Sequence, residues 1–142
     1  MAEYEVIALA IVRREDEVLL GLKDPTKIHS LQGKWFFPGG RVNYKESLEQ
    51  AAIRETKEET GVDIKVVRLL DTRTKKDIWP DGRIHHACLV YFECATIGNS
   101  NNIKAHDDIV EVKWVKTKDL GKFITTDVSP KVREYLRELG WK

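Results

Sequence analysis

Long hydrophobic runs are missing from this chain, and no apolar stretch approaches the roughly 20 residues that a membrane-spanning helix needs. Neither sign of charge is in excess, because 24 Lys and Arg residues against 23 Asp and Glu residues leave a formal net charge of +1. Bulk charge therefore gives no reason to expect a stable nucleic-acid partner. The N-terminal residues place acids before a short apolar run and lack a basic leader, which argues against a signal peptide. We expect no membrane partner.

Cysteine is scarce, since the chain has only Cys88 and Cys94. Their even spacing in a strand-like stretch places both on one sheet face, and they lack the spacing and histidine partners of a zinc site. We interpret them as buried free thiols. Nothing in this cysteine usage indicates an oxidising compartment, so we expect a cytoplasmic protein. Internal repeats are also missing, and the 142 residues are predicted to form a single domain with its own core.

The order of apolar segments predicts an α/β fold with helices packed against a mixed sheet. Continuous or alternating apolar runs predict strands at residues 4–12, 18–22, 35–37, 64–70, 84–97 and 109–115. Residues 71–77 would either extend the preceding strand or form a loop. Pro38, Gly39 and Gly40 predict a turn, because glycine allows backbone conformations closed to other residues. Residues 128–139 have the spacing of a C-terminal helix.

An acidic helix is predicted from Ser47 to Thr60. The spacing from Ser47 to Gln50 is typical of a capping box, and Gly61 is a stop signal. The stretch around it contains five glutamates, which are Glu46, Glu49, Glu55, Glu58 and Glu59. The last three have the i, i+3, i+4 spacing that places side chains on one helix face. Because like charges at this spacing repel, a bound divalent cation is one way to offset the cost.

A helical projection sharpens the choice between a metal site and an ordinary solvated face. At about 100° per residue, Glu55 and Glu59 fall on the arc of the small apolar residues Ala51 and Ala52, with Glu58 at its edge. On this projection Thr60 faces away from the arc that contains Ala51 and Ala52. Carboxylates on the packed face are costly without partners, and either a cation or Arg54 would resolve the cost. From the helix alone, an exposed face with ordinary ion pairs remains the alternative.

The spacing of these residues resembles a known pattern. Gly40 is followed after five residues by Glu46, and after seven more by the run from Arg54 to Val62, RETKEETGV. This arrangement resembles the Nudix box, G-x5-E-x7-R-E-U-x-E-E-x-G-U, where U is a bulky apolar residue. Every fixed position matches, and the one departure is Thr56 at the first U. The flanking strand order is also similar to the Nudix fold, an α/β/α sandwich with a mixed β-sheet.

The resemblance implies hydrolysis of a nucleoside diphosphate linked to another group. It implies a magnesium or manganese ion held by Glu55, Glu58 and Glu59, with a backbone carbonyl from Gly40. One of these glutamates, or an acid on a later loop, would accept the proton of the attacking water. Arg54 would orient the glutamates. The substrate would be a nucleoside triphosphate or a nucleotide sugar, with a nucleoside monophosphate as one product, and a homodimer is possible.

Residues outside this pattern leave alternatives open. His106 precedes paired aspartates and resembles the catalytic histidine of GDP-mannose mannosyl hydrolases, a Nudix branch with a degraded box. Here the box is intact, so glycosyl hydrolysis through His106 and a non-catalytic nucleotide-binding domain are both alternatives to phosphoanhydride cleavage. Trp79 is a candidate to stack a base. Arg41 and Lys23 are candidates to contact phosphate, with core packing or plain exposure as the competing interpretations.

Overall fold

The molecule is described by a computed structural model that covers residues 3–141. The strands are β1 Glu3–Arg14, β2 Glu17–Lys23, β3 Trp35–Phe36, β4 Gly39–Arg41, β5 Ile64–Ile78, β6 Ile84–Thr96 and β7 Ile109–Lys116. They form one sheet with the order β3-β2-β1-β6-β5, and β4 and β7 pair with β1 and β2 respectively. Among these described strands only β1 and β6 pair in parallel, so the sheet is mixed as predicted. The helices are α1 Leu48–Thr60 and α2 Pro130–Glu138, with a short 3₁₀ helix at Thr117–Lys122.

Two apolar clusters lie on the two faces of the sheet, because successive strand residues point to opposite sides. On one face Ala8 and Ala10 of β1 pack in the cluster that contains Ala51 of α1. On the other face Leu9 of β1 packs in the cluster that contains Leu136 of α2. The two helices therefore cover opposite faces of the sheet. This confirms the predicted α/β/α arrangement.

Helix α1 has the predicted limits. Ser47 and Gln50 make both hydrogen bonds of the capping box, and Gly61 ends the helix with φ +77°, a conformation that favours glycine. Thr60, however, does not face away from the core, because it is fully buried and its hydroxyl donates to the carbonyl of Thr56 at 2.6 Å. The segment before β7 covers this end of the helix through Lys104, whose N–H donates to the carbonyl of Thr60.

Two segments that sequence patterns left open or misread are strands. Residues 71–77 extend β5, which pairs with β6 as far as Ile78 opposite Ile84, with bulges on the way. The predicted turn at Pro38, Gly39 and Gly40 is in part wrong, because Gly39–Arg41 forms β4 and pairs antiparallel with β1. Gly39 and Gly40 pair with β1, and β4 therefore lies directly beside α1.

The two cysteines agree with their interpretation as free thiols on one face of the sheet. Both thiols are free and pack on the α1 face of the sheet, with Cys94 buried and Cys88 partly buried. Burial raises the pKa of the Cys94 thiol to about 12, so this thiol is not a nucleophile near neutral pH. Within residues 3–141, no helix combines the length and the apolar composition required to cross a membrane.

Candidate active site

A cavity of about 300 Å³ lies where β4, α1, the loop after β2 and the end of β5 meet. Most of the residues predicted for a functional site line this cavity. They include Lys23, Gly40, Arg41, Glu55, Glu59 and Trp79. The other three predicted residues, Arg54, Glu58 and His106, do not line it. The cavity thus brings together predicted residues from four separate parts of the chain.

Gly40 is required by a close approach between β4 and α1. A Cβ built on Gly40 would lie 2.6 Å from the carboxylate carbon of Glu55, so any side chain here would displace that carboxylate. The neighbouring Gly39 N–H donates to Oε1 of Glu59 at 2.9 Å. Strand β4 therefore positions two α1 carboxylates, one by leaving space and the other by a hydrogen bond.

Arg54 joins the glutamates of the acidic stretch. Its Nε donates to Glu46 at 2.6 Å, and its Nη1 donates to Glu55 at 2.9 Å and to Glu58 at 3.1 Å. Its Nη2 also donates to the backbone carbonyl of Arg41 at 3.1 Å. The bond from Arg54 lowers the pKa of Glu46 to about 2, and the same contact raises the pKa of Arg54 above its ordinary value. Arg54 thus offsets the repulsion between Glu55 and Glu58.

Glu59 and Glu55 are carboxylates with little access to water. The Glu59 residue is only 4% exposed, and burial raises its pKa to about 8 against the opposing hydrogen bond from Gly39. Burial also raises the pKa of Glu55, although Arg54 opposes the rise. Two carboxyl groups whose pKa values are raised by burial, both lining one cavity, are typical of a functional site.

The donor atoms around this part of the cavity suit a hard divalent cation. They are carboxylate oxygens from Glu55 and Glu59, next to the backbone of Gly40, whose missing Cβ leaves room beside the Glu55 carboxylate. Within the described part of the chain, no three His, Cys, Asp or Glu side chains converge closely enough to form a ready metal cluster. Glu58 is exposed and bonded to Arg54. The ligand set of Glu55, Glu58, Glu59 and Gly40 therefore stays a prediction.

The segment before β7 contributes Asp108 to the cavity. Asp108 Oδ2 lies 2.8 Å from Lys23 Nζ, and the Asp108 carbonyl accepts from the N–H of Asp24. Burial alone would raise the pKa of Asp108, but the bond to Lys23 holds it below its ordinary value. The His106 side chain is exposed, while its N–H donates to the carbonyl of Glu59. A catalytic role for His106 stays a prediction.

A group of aromatic rings forms another part of the cavity. Trp79 lies 5.4 Å from His29 and 5.3 Å from His85 between ring centroids, and all three residues line the cavity. Burial lowers the pKa of His29 to about 4, so its ring is neutral at neutral pH. Sequence patterns identified Trp79 but missed His29 and Glu5, which also lines the cavity. No local motif marks either residue.

Comparisons with known proteins agree with this arrangement. The profile of the NUDIX domain family matches residues 3–139. A Caenorhabditis elegans relative, whose name assigns it to the nudix hydrolases, is 32% identical over 117 residues, which are 80% of this chain and 29% of that protein. An ADP-ribose pyrophosphatase from Methanocaldococcus jannaschii is 32% identical over 132 residues, which are 93% of this chain and 71% of that protein. The chain thus spans less than a third of the C. elegans protein.

Further relatives widen the range of named activities. The nucleoside triphosphatase NudI of Escherichia coli is 28% identical over 114 residues, which are 76% of this chain and 77% of that protein. The solved structure of a NUDIX hydrolase from Nitrosomonas europaea covers 98% of this chain and 93% of its own, with a TM-score of 0.75 at 20% identity, and it shows the shared fold. The family match extends over nearly the whole chain and includes the glutamates, the arginine and the glycine of the site. This chain belongs to the Nudix hydrolase family.

Proposed function

We propose that this Nudix hydrolase cleaves the phosphoanhydride of a nucleoside diphosphate linked to another group, with a divalent cation. A nucleoside monophosphate and a second phosphorylated compound would be the products. The observation that supports this most is the shared cavity of Glu55 and Glu59 with the cations Lys23 and Arg41 and the aromatic ring of Trp79. This set offers cation ligands, phosphate contacts and a stacking surface within one space.

The chain's own residues have distinct roles in this proposal. Lys23 and Arg41 bind the diphosphate, and Trp79 contacts a ring of the substrate. Arg54 holds Glu55 and Glu58 in place through Nη1. A glutamate of α1 accepts the proton of the attacking water. Glu55 is a candidate for this role, because it lines the cavity.

Glu55, Glu58 and Glu59, with the carbonyl of Gly40, would hold Mg²⁺ or Mn²⁺. Such a cation would offset the charge that builds up at phosphorus. It would also lower the pKa of a bound water, so that the water can lose its proton and attack phosphorus in line. The intact set of glutamates, and the cavity that Glu55 and Glu59 share with Gly40, support this ligand set. The ADP-ribose pyrophosphatase and nucleoside triphosphatase among the relatives support a phosphoanhydride as the bond that is cleaved.

The test is a panel of ADP-ribose, ATP and GDP-mannose, each incubated with Mg²⁺ in ¹⁸O-labelled water. Product analysis by mass spectrometry then locates the label. Attack at phosphorus places ¹⁸O in a phosphate group, and this is the expected result. Label in the free sugar would instead support glycosyl hydrolysis, and no product from any of the three would support a domain that only binds nucleotides.

Two variants and one control accompany the panel. Glu58→Gln is expected to lose metal-dependent turnover and keep its melting temperature, because its exposed side chain contributes to the site rather than to the core. Glu49→Gln is the matched control, since Glu49 is exposed on the same helix and forms no ion pair with Arg54. Full activity in Glu58→Gln would remove Glu58 from the site. His106→Ala is expected to retain activity, because an α1 glutamate and not His106 is the proposed proton acceptor.

A further inference from the structure

Glu5 of β1 connects two residues of the cavity that belong to different strands. Its Oε1 accepts from Nη2 of Arg41 on β4, and its Oε2 lies 2.8 Å from Nε2 of His85 on β6. This contact follows from the sheet, in which β1 pairs with both β4 and β6. An ionised carboxylate accepts hydrogen bonds and donates none, so Glu5 sets the direction of both partners at once.

The contact with Glu5 continues into the aromatic wall, defined here as His29, Trp79 and His85. His85 is only 7% exposed, and with Nε2 directed to Glu5 its Nδ1 has no partner within residues 3–141. The Nε1 of Trp79 is likewise buried without a partner in that range. Buried polar atoms without partners are unfavourable. A ligand that hydrogen-bonds to either ring would remove a cost that the free protein bears.

Charges near the aromatic wall favour an uncharged ligand group there. Lys75 lines the same cavity with its Nζ 3.5 Å from Asp77, and Arg83 lies over the Trp79 ring with its Nη2 2.9 Å from Asp81. A phosphate at the wall would have to compete with these carboxylates for the cations. Aromatic faces and hydrogen-bonding nitrogens instead suit a neutral ring. Arg41, with its side chain 63% exposed, keeps free donors for the diphosphate.

We propose that Glu5 is a positioning residue of the substrate site. It holds Arg41 in place for the diphosphate and holds His85 beside Trp79, and together these form a subsite for an uncharged ring of the substrate. The ring is either the base or the second sugar of a nucleoside diphosphate derivative. This inference rests on the proposed function, because it assigns one region of the same cavity to one part of that substrate.

The test is isothermal titration calorimetry of the metal-free protein with ADP-ribose, AMP and ribose 5-phosphate as three separate probes. Glu5→Gln keeps the size of the side chain and loses the carboxylate that accepts from both partners. The matched control is Glu93→Gln, because Glu93 also bridges an arginine and an aromatic residue, Arg68 and Tyr135, outside the cavity. The side chains of Glu93 and Glu5 are 14% and 15% exposed. Melting temperatures report the folding of each variant.

We expect Glu5→Gln to weaken the binding of ADP-ribose by about tenfold or more, and Glu93→Gln to change it by less than about twofold. Arg41→Met with Glu5→Gln should lose less than the sum of the two single variants, because both act through one contact. Because AMP itself contains ribose 5-phosphate, weaker binding of AMP with unchanged binding of ribose 5-phosphate would identify the ring as the base. Weaker binding of ribose 5-phosphate would identify it as the sugar. If Glu5→Gln does not fold, His85→Gln provides the second variant and should show the same loss.

Two results would overturn the positioning role. One is binding by Glu5→Gln that is no weaker than binding by Glu93→Gln, and the other is a wild type that binds none of the three probes. Turnover plays no part in this titration. Weaker binding in Glu5→Gln would therefore support the subsite even if no nucleotide were hydrolysed. Normal turnover with unchanged binding would overturn the subsite and leave the proposed function standing.

Discussion

Glu59→Gln should change how the stability of the metal-free protein depends on pH. Burial raises the folded-state pKa of Glu59 from 4.5 to about 8. Between these values the folded state binds more protons than the unfolded state, so this group makes the protein less stable as pH rises through that window. Below about pH 4 the group is protonated in both states and the penalty is absent. Glutamine cannot ionise, and its oxygen still accepts from the Gly39 N–H, so the variant should lack this term.

The size of the effect follows from the pKa. At about 1.4 kcal/mol per pKa unit, the full rise sets an upper limit of about 5 kcal/mol. Local relaxation and entry of water reduce such penalties, so we expect about 2–3 kcal/mol. Wild type and variant should thus be similar near pH 4, and Glu59→Gln should be the more stable by this amount near pH 9.

Chemical denaturation in the presence of EDTA, repeated across this pH range, measures the difference. Other titrating groups are common to both proteins and cancel in the comparison. A difference in unfolding free energy that does not change with pH would refute the reasoning. So would a variant that is less stable than wild type at the alkaline end, because the buried charge would then be stabilising.

Two further substitutions probe the close contacts of α1. Gly40→Ala should displace the Glu55 carboxylate and reduce metal-dependent turnover at least about tenfold. Its melting temperature should change little, because the added methyl group clashes with the flexible end of a side chain. Activity near that of wild type would contradict this prediction. Thr56→Val should raise the unfolding free energy by about 1 kcal/mol, because Thr56 is fully buried and its hydroxyl has no partner within residues 3–141. The corresponding rise in melting temperature is about 3 °C, and a fall would show that the hydroxyl is satisfied.

Local sequence patterns were sufficient to predict the acidic helix and the residues that depend on it. The cap at Ser47, the stop at Gly61 and the spacing of the glutamates are all set within a few residues, and the structure reproduces them. The burial of Glu59 also follows from the helical projection with Ala51 and Ala52. These features depend on short-range geometry, which a helix repeats every turn.

Contacts between distant segments could not be predicted in this way. Glu5 and His85 are 80 residues apart and meet only because β1 and β6 are parallel neighbours. The burial of Thr60 depends on the segment before β7, which no pattern places over α1. The strand at Gly39–Arg41 likewise forms because β1 offers it hydrogen bonds, whereas the sequence of proline and glycines is typical of a turn.

The central claim is that the α1 carboxylates in the cavity hold a divalent cation. Titration of the protein with Mn²⁺, with free ion counted by electron paramagnetic resonance, tests this most directly. The account predicts Mn²⁺ binding by wild type and by Glu49→Gln, and a loss of at least about tenfold in affinity in Glu59→Gln. Equal Mn²⁺ binding by Glu59→Gln and wild type would contradict it.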